Sequence, residues 1–144
     1  MKNTVIIIGA GDGKRIGNQD KAFLVLNNKP LLTYPIASFE GCKLINEIIL
    51  VIKKDRIKDA EKIIHQYGFK KVKAIISGGK TRQDSVHNGL NMIDNSNIVL
   101  VHDIARPLIA NNIIVDCIKN AKKFGAVVPT LKINDTIKKG DKFI

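Results

Sequence analysis

The chain opens with an unbroken apolar run, residues 5–8, and the run then breaks into glycines. Four consecutive β-branched residues without polar alternation predict a strand buried on both faces. Residues 47–52 repeat the pattern and predict a second buried strand. Residues 73–77, 98–102 and 126–131 predict three more, and residues 23–26 read as a short strand ending in an Asn27-Asn28 turn. Between strands the period changes. Ile57, Ala60, Ile63, Ile64 and Tyr67 share one helical face within residues 56–67, and Gly68 stops that helix. Pro30 is expected to start a helix through Phe39, with Pro35 kinking it. Residues 83–92 predict a helix, as do residues 111–124, capped by Asn111 or Asn112. Strands that alternate with helices make an α/β chain with a mostly parallel sheet. Ligands of such sheets sit outside the carboxyl ends of the strands. Three segments rich in glycine, arginine or aspartate fall there: residues 9–21, 78–85 and 103–107.

Composition refines this picture in three places. A length of 144 residues predicts one domain, 1–144, with a core of its own. No apolar run approaches the ~18 residues of a membrane span. Cys42 and Cys117 have no metal-ligand spacing and read as free, buried thiols of a reducing compartment, so the expected location is cytoplasmic. The net charge of +11 invites a nucleic-acid reading. Against it, 20 of the 24 basic residues are Lys, Trp is absent, and there is no long basic block or aromatic–basic stripe. Arginine, which forks onto phosphate, says more. Three of the four arginines, Arg15, Arg82 and Arg106, lie in the three special segments.

The glycine segment is directed at phosphate, but not by either familiar fingerprint. A P-loop would need Gly where Ile8 stands and Ser or Thr where Arg15 stands. A dinucleotide loop would need Gly at Lys14 or Ile16. Gly9, Gly11 and Gly13 still let backbone N–H groups approach a polyphosphate, with Lys14, Arg15 and Lys21 supplying charge. In the second segment Gly78-Gly79 admits a flat ligand. Ser85 can hydrogen-bond a base, or Asp84 and Ser85 can be first-turn helix residues only. In the third, Asp103 follows a buried strand and suits a hard cation, or caps the next turn. Arg106 either clamps a phosphate or pairs with Asp103, and His102 reads as structural. Asp135 and Thr136 follow the last predicted strand.

Together and in this order the segments resemble the 2-C-methyl-D-erythritol 4-phosphate cytidylyltransferase family. Its small-small-G-x-G-x-[RK]-[MI] loop matches residues 9–16 with Lys21 downstream. Its G-G-x-x-R-x-[DE]-S-V segment matches residues 78–86, its V-H-D-A-A-R-P segment residues 101–107, and its D-T motif Asp135-Thr136. Three positions depart from the pattern: Gly9 and Ile104 stand where Ala is usual, and Asp20 where Pro often precedes the Lys. The changes at Gly9 and Asp20 are expected to loosen the loop. The family's last third, which carries a T-P-Q segment, a second metal-side Asp and most of a dimer arm, has no counterpart here. The chain is therefore expected to be a truncated form with an edge lined by Val and Ile.

The resemblance implies a Rossmann-like nucleotidyltransferase fold and transfer of a cytidylyl group from CTP to a sugar-alcohol phosphate. It assigns Arg15 and Lys21 to the pentavalent phosphate, and Gly9, Ala10, Gly11, Gly13 and Lys14 to the triphosphate. Gly79, Asp84 and Ser85 go to the cytosine and its ribose, and Asp103 to magnesium or another divalent cation. Arg106, Asp135 and Thr136 go to the second substrate. The full-length family is expected to form homodimers, without nucleic acid or membrane partners. Ribitol-5-phosphate cytidylyltransferases share the loop and the H-D-x-x-R-P segment, but residues 82–86 favour the methylerythritol enzymes. A non-catalytic CTP-binding fragment is the other alternative.

Overall fold

A computed structural model of the chain describes residues 2–11, 20–134 and 136. Four parallel strands form its sheet: β1 (Asn3–Ile8), β4 (Glu47–Ile52), β5 (Val72–Ser77) and β6 (Ile98–Asp103). Their spatial order is β5-β4-β1-β6. β1 lies inside the sheet and is buried along its whole length, which is why its sequence does not alternate. β6 is an edge among the described strands. Val99 and Val101 are 37% and 42% exposed there.

Successive strand residues point to opposite faces. Val5, Ile7, Ile48, Leu50 and Ile52 face one side. Three helices cover it: α1 (Thr33–Gly41), α2 (Ile57–Tyr67) and α4 (Asn111–Phe124), through Ile36, Phe39, Ala60, Ile114 and Ile118. Ile6, Ile8, Ile49 and Val51 face the other side, where α3 (Arg82–Leu90) packs with Val86. Gly89 lets α3 lie close over β1; a Cβ there would come within 2.6 Å of Ile6 Cγ2. No helix among the described residues is long and apolar enough to cross a membrane.

Several local expectations are corrected. Phe23 belongs to a 3-10 turn, Lys21–Phe23, and only β2 (Val25–Leu26) is extended. β2 pairs with β3 (Lys29–Pro30) across Asn27 and Asn28, whose φ angles of 47° and 60° suit a two-residue hairpin. Pro30 is therefore a strand residue, and α1 starts at Thr33. Pro35 sits in the first turn of α1, where no intrahelical partner exists for its missing N–H, so it is tolerated there. α4 takes Ala110 as its N-cap, without a side-chain cap from Asn111 or Asn112. Residues 126–131 form no strand. Extended propensity becomes a strand only against a partner's hydrogen-bonding groups, and no described strand pairs with these residues; Val128 and Leu131 are exposed. Cys42 is free and buried, but Cys117 is free and only half-buried.

Candidate functional site

The chain runs from β1 to β4 and β5 on one side, then returns to place β6 on β1's other side. β1 and β6 thus flank the switch point, where open α/β sheets bind ligands. Ile8 is the register partner of Asp103, and the Ile104 N–H donates to the Ile8 carbonyl at 2.9 Å. On the other side Gly9 N–H donates to the Val51 carbonyl at 2.7 Å. Residues 9–11 therefore leave the sheet between β4 and β6. Gly78 and Ala10 touch so closely that a Cβ at 78 would overlap the Ala10 side chain. The Lys21–Phe23 turn is near as well: Ala22 Cβ lies 3.5 Å from where a Cβ on Gly9 would stand. The fold thus gathers Gly9, Ala10, Gly11, Lys21, Gly79 and Asp103. Gly13, Lys14, Arg15 and Asp135 lie outside the described residues, and Thr136 is exposed.

Asp103 carries the local electrostatics. Its Oδ1 accepts from Arg82 Nε at 3.0 Å, and its Oδ2 lies 3.8 Å from Arg106 Nε. The pairing of Arg106 is the observed one of its two expected roles, although its side chain stays 81% exposed. Arg82 had no assigned role in the sequence reading. Its signal was its place among the arginines of the ligand-side segments. His102 turns the opposite way, edge-on to Phe39 at 5.2 Å between ring centres. Its Nε2–H donates to the Arg106 carbonyl at 2.9 Å, which fixes the tautomer and holds the 103–106 turn. Burial lowers the imidazole pKa, outweighing the Arg106 hydrogen bond and the Asp103 charge that raise it.

Asp84 and Ser85 serve the second loop itself. Asp84 Oδ2 accepts from the Thr81 N–H at 2.9 Å, and Thr81 Oγ1 accepts from the Asp84 N–H at 3.1 Å. That is a reciprocal capping box with Asp at the third helical position. Ser85 is buried; its hydroxyl donates to the Thr81 carbonyl and accepts from the Gly79 N–H. Both side chains thus shape the backbone of residues 78–81.

Most of the loop that Asp20 was expected to loosen, residues 12–19, lies outside the described residues, but Asp20 itself is placed. Asp20 Oδ1 accepts from the Ala22 N–H at 3.2 Å and caps the Lys21–Phe23 turn. The Arg56 guanidinium lies 4.0 Å over the Phe23 ring and 3.9 Å from Asp20. Lys21 therefore stands in a braced turn. Among the described residues no three His, Cys, Asp or Glu side chains cluster as a metal cage. Asp103 offers one carboxylate, the donor set of a hard cation shared with substrate phosphates.

The 2-C-methyl-D-erythritol 4-phosphate cytidylyltransferase family profile matches residues 3–144. An enzyme of that name from Clostridium perfringens is 46% identical over 134 residues, covering 92% of this chain and 60% of the relative. One from Clostridium botulinum is 43% identical over 139 residues, covering 95% and 61%. The chain thus spans about three fifths of these relatives' length. The crystal structure of 4-diphosphocytidyl-2C-methyl-D-erythritol synthase from Anaerococcus prevotii superposes with a TM-score of 0.83 at 28% identity, covering 97% of this chain and 60% of that one. A CMP:2-keto-3-deoxy-manno-octonic acid synthetase complexed with CTP shares the fold alone, with a TM-score of 0.68 at 16% identity, covering 88% and 50%.

Proposed function

The chain belongs to the 2-C-methyl-D-erythritol 4-phosphate cytidylyltransferase family, and from that premise we propose that it joins CTP and 2-C-methyl-D-erythritol 4-phosphate. The products are CDP-methylerythritol and pyrophosphate, in isoprenoid precursor synthesis in the cytoplasm. The observation that carries the reading is the gathering of residues 9–11, the Lys21 turn and Asp103 at the switch point between β1 and β6. The family match favours methylerythritol phosphate over ribitol phosphate as the acceptor.

The attacking group is a phosphate and already an anion, so no general base is needed. Catalysis is then positioning and charge stabilisation. The backbone of residues 9–11 takes the triphosphate of CTP, and the Lys21 ammonium meets the charge that grows on the α-phosphate. The loop held by Thr81, Asp84 and Ser85 presents backbone to the cytosine. Arg106, exposed beside Asp103, faces the second substrate with Thr136. Asp103 would hold magnesium together with the substrate phosphates; when bound, the cation neutralises phosphate charge.

The test is pyrophosphate release from CTP and magnesium, with methylerythritol phosphate or ribitol 5-phosphate as acceptor. Release is expected with the first from a full-length form; the 144 residues, about three fifths of the relatives' length, are expected to bind CTP weakly without it. Lys21→Ala is expected to lower turnover roughly 10²–10³-fold, the usual cost of losing one preorganised charge partner, while CTP still binds. A raised KM with unchanged kcat would make Lys21 a ground-state binder instead. CTP binding without release in the full-length form would replace the transferase reading with that of a nucleotide-binding chain.

A further inference from the structure

The Arg82–Asp103 pair plays no part in the steps above. Its donor stands at the start of α3, after β5, and its acceptor at the end of β6. These are the two outer strands of the sheet, with β4 and β1 between them. The pair therefore ties the start of α3 to the end of β6 on the carboxyl side of the sheet. It also occupies the carboxylate that a cation would need. Oδ1 accepts from Arg82 at 3.0 Å, and Oδ2 faces Arg106 at 3.8 Å. Arg82 is 59% exposed, so an anion can reach it from solvent. Ion pairs this open are weak and readily exchanged.

We infer that Arg82 is a positioning residue that keeps Asp103 closed to a divalent cation until a nucleotide polyphosphate draws its guanidinium away. This rests on the CTP reading above. With Arg82 on Oδ1, an incoming cation meets a carboxylate whose charge is already matched, and it meets the guanidinium's repulsion. A polyphosphate offers Arg82 several anionic oxygens in place of one carboxylate, and the guanidinium fork suits them. Moving to the phosphates, Arg82 frees Asp103 Oδ1. Nucleotide and cation then raise each other's affinity, as linkage requires. Empty sites stay metal-poor, and cation loading follows the nucleotide.

The experiment is Mn²⁺ titration followed by electron paramagnetic resonance, with and without CTP, and with CTP affinity measured on the same samples. Variants are Arg82→Gln, Arg82→Lys and Asp103→Asn. Arg82 is outside the Thr81–Asp84 capping box, so the helix start is kept in both arginine variants. Without CTP, Arg82→Gln is expected to bind Mn²⁺ roughly 10-fold more tightly than wild type, within the usual span of such couplings. The gain in Mn²⁺ affinity on adding CTP shrinks accordingly. Arg82→Lys, which keeps the charge but not the fork, falls between them, and Asp103→Asn abolishes the difference. If CTP binds normally and Arg82→Gln leaves Mn²⁺ affinity without CTP unchanged or weaker, the inference is overturned alone. If no CTP binds to the wild-type protein, the CTP reading falls and the inference with it.

Discussion

At the scale of single residues, two departures from the family pattern prove to be one. Gly9 and Ile104 each replace a usual Ala, and they meet across the end of the sheet. A Cβ on Gly9 would overlap Ile104 Cδ1, and Ile104 is fully buried. The volume missing at position 9 is supplied from position 104. Gly9→Ala is therefore expected to overpack and destabilise by roughly 1–3 kcal/mol. Ile104→Ala leaves a cavity and costs about 2–5 kcal/mol. The double variant should lose less than the sum, with a coupling of about 0.5–3 kcal/mol. Urea unfolding of the four proteins measures it, and strict additivity would refute the pairing. Asp20 also has a place in the fold: its carboxylate caps the turn that carries Lys21.

At the scale of elements, α3 shows a helix start that holds the loop before it. The Thr81–Asp84 box and the Ser85 hydroxyl fix the backbone of residues 78–81. Thr81→Ala is expected to destabilise by about 0.5–2 kcal/mol, the range for losing an N-cap. It should also speed amide exchange at Asp84, whose N–H donates to Thr81 Oγ1. Unchanged exchange there would mean that the cap is not what orders the loop. The sequence placed Asp84 and Ser85 in the first turn of a helix, and only the structure showed Thr81 as the cap that Asp84 answers. Also not legible was that Ser85 turns inward, because its burial depends on the sheet beneath it.

For the whole molecule, His102 links the core to the site. It rests on Phe39 of α1 and holds the carbonyl of Arg106. Burial lowers its pKa from the ordinary 6.5. The unfolded chain then binds more protons than the folded one in the window between the folded value and 6.5. The neutral ring's contribution is complete above pH 6.5 and is lost as pH falls through that window. Urea midpoints at pH 7.5 and 5.5 should differ more for the wild type than for His102→Gln, which keeps a hydrogen-bond donor without titrating. Equal pH dependence in the two would remove His102 as the linked group.

The sequence alone determined the α/β class, the buried strands and the ligand-side segments, because these follow from local periodicity and from glycine and arginine placed after strands. Residues 47–52 were read with their observed bounds, since a doubly buried strand writes its own run of apolar side chains. Tertiary structure decided what depends on partners distant in the chain. Residues 126–131 have strand propensity and no ladder. Pro30 went to a hairpin because Val25 stood opposite it. Arg82 became part of the site because the order β5-β4-β1-β6 brought the start of α3 across to Asp103, 21 residues away in sequence. Periodicity reports which way a side chain faces; only the packed sheet decides what it faces.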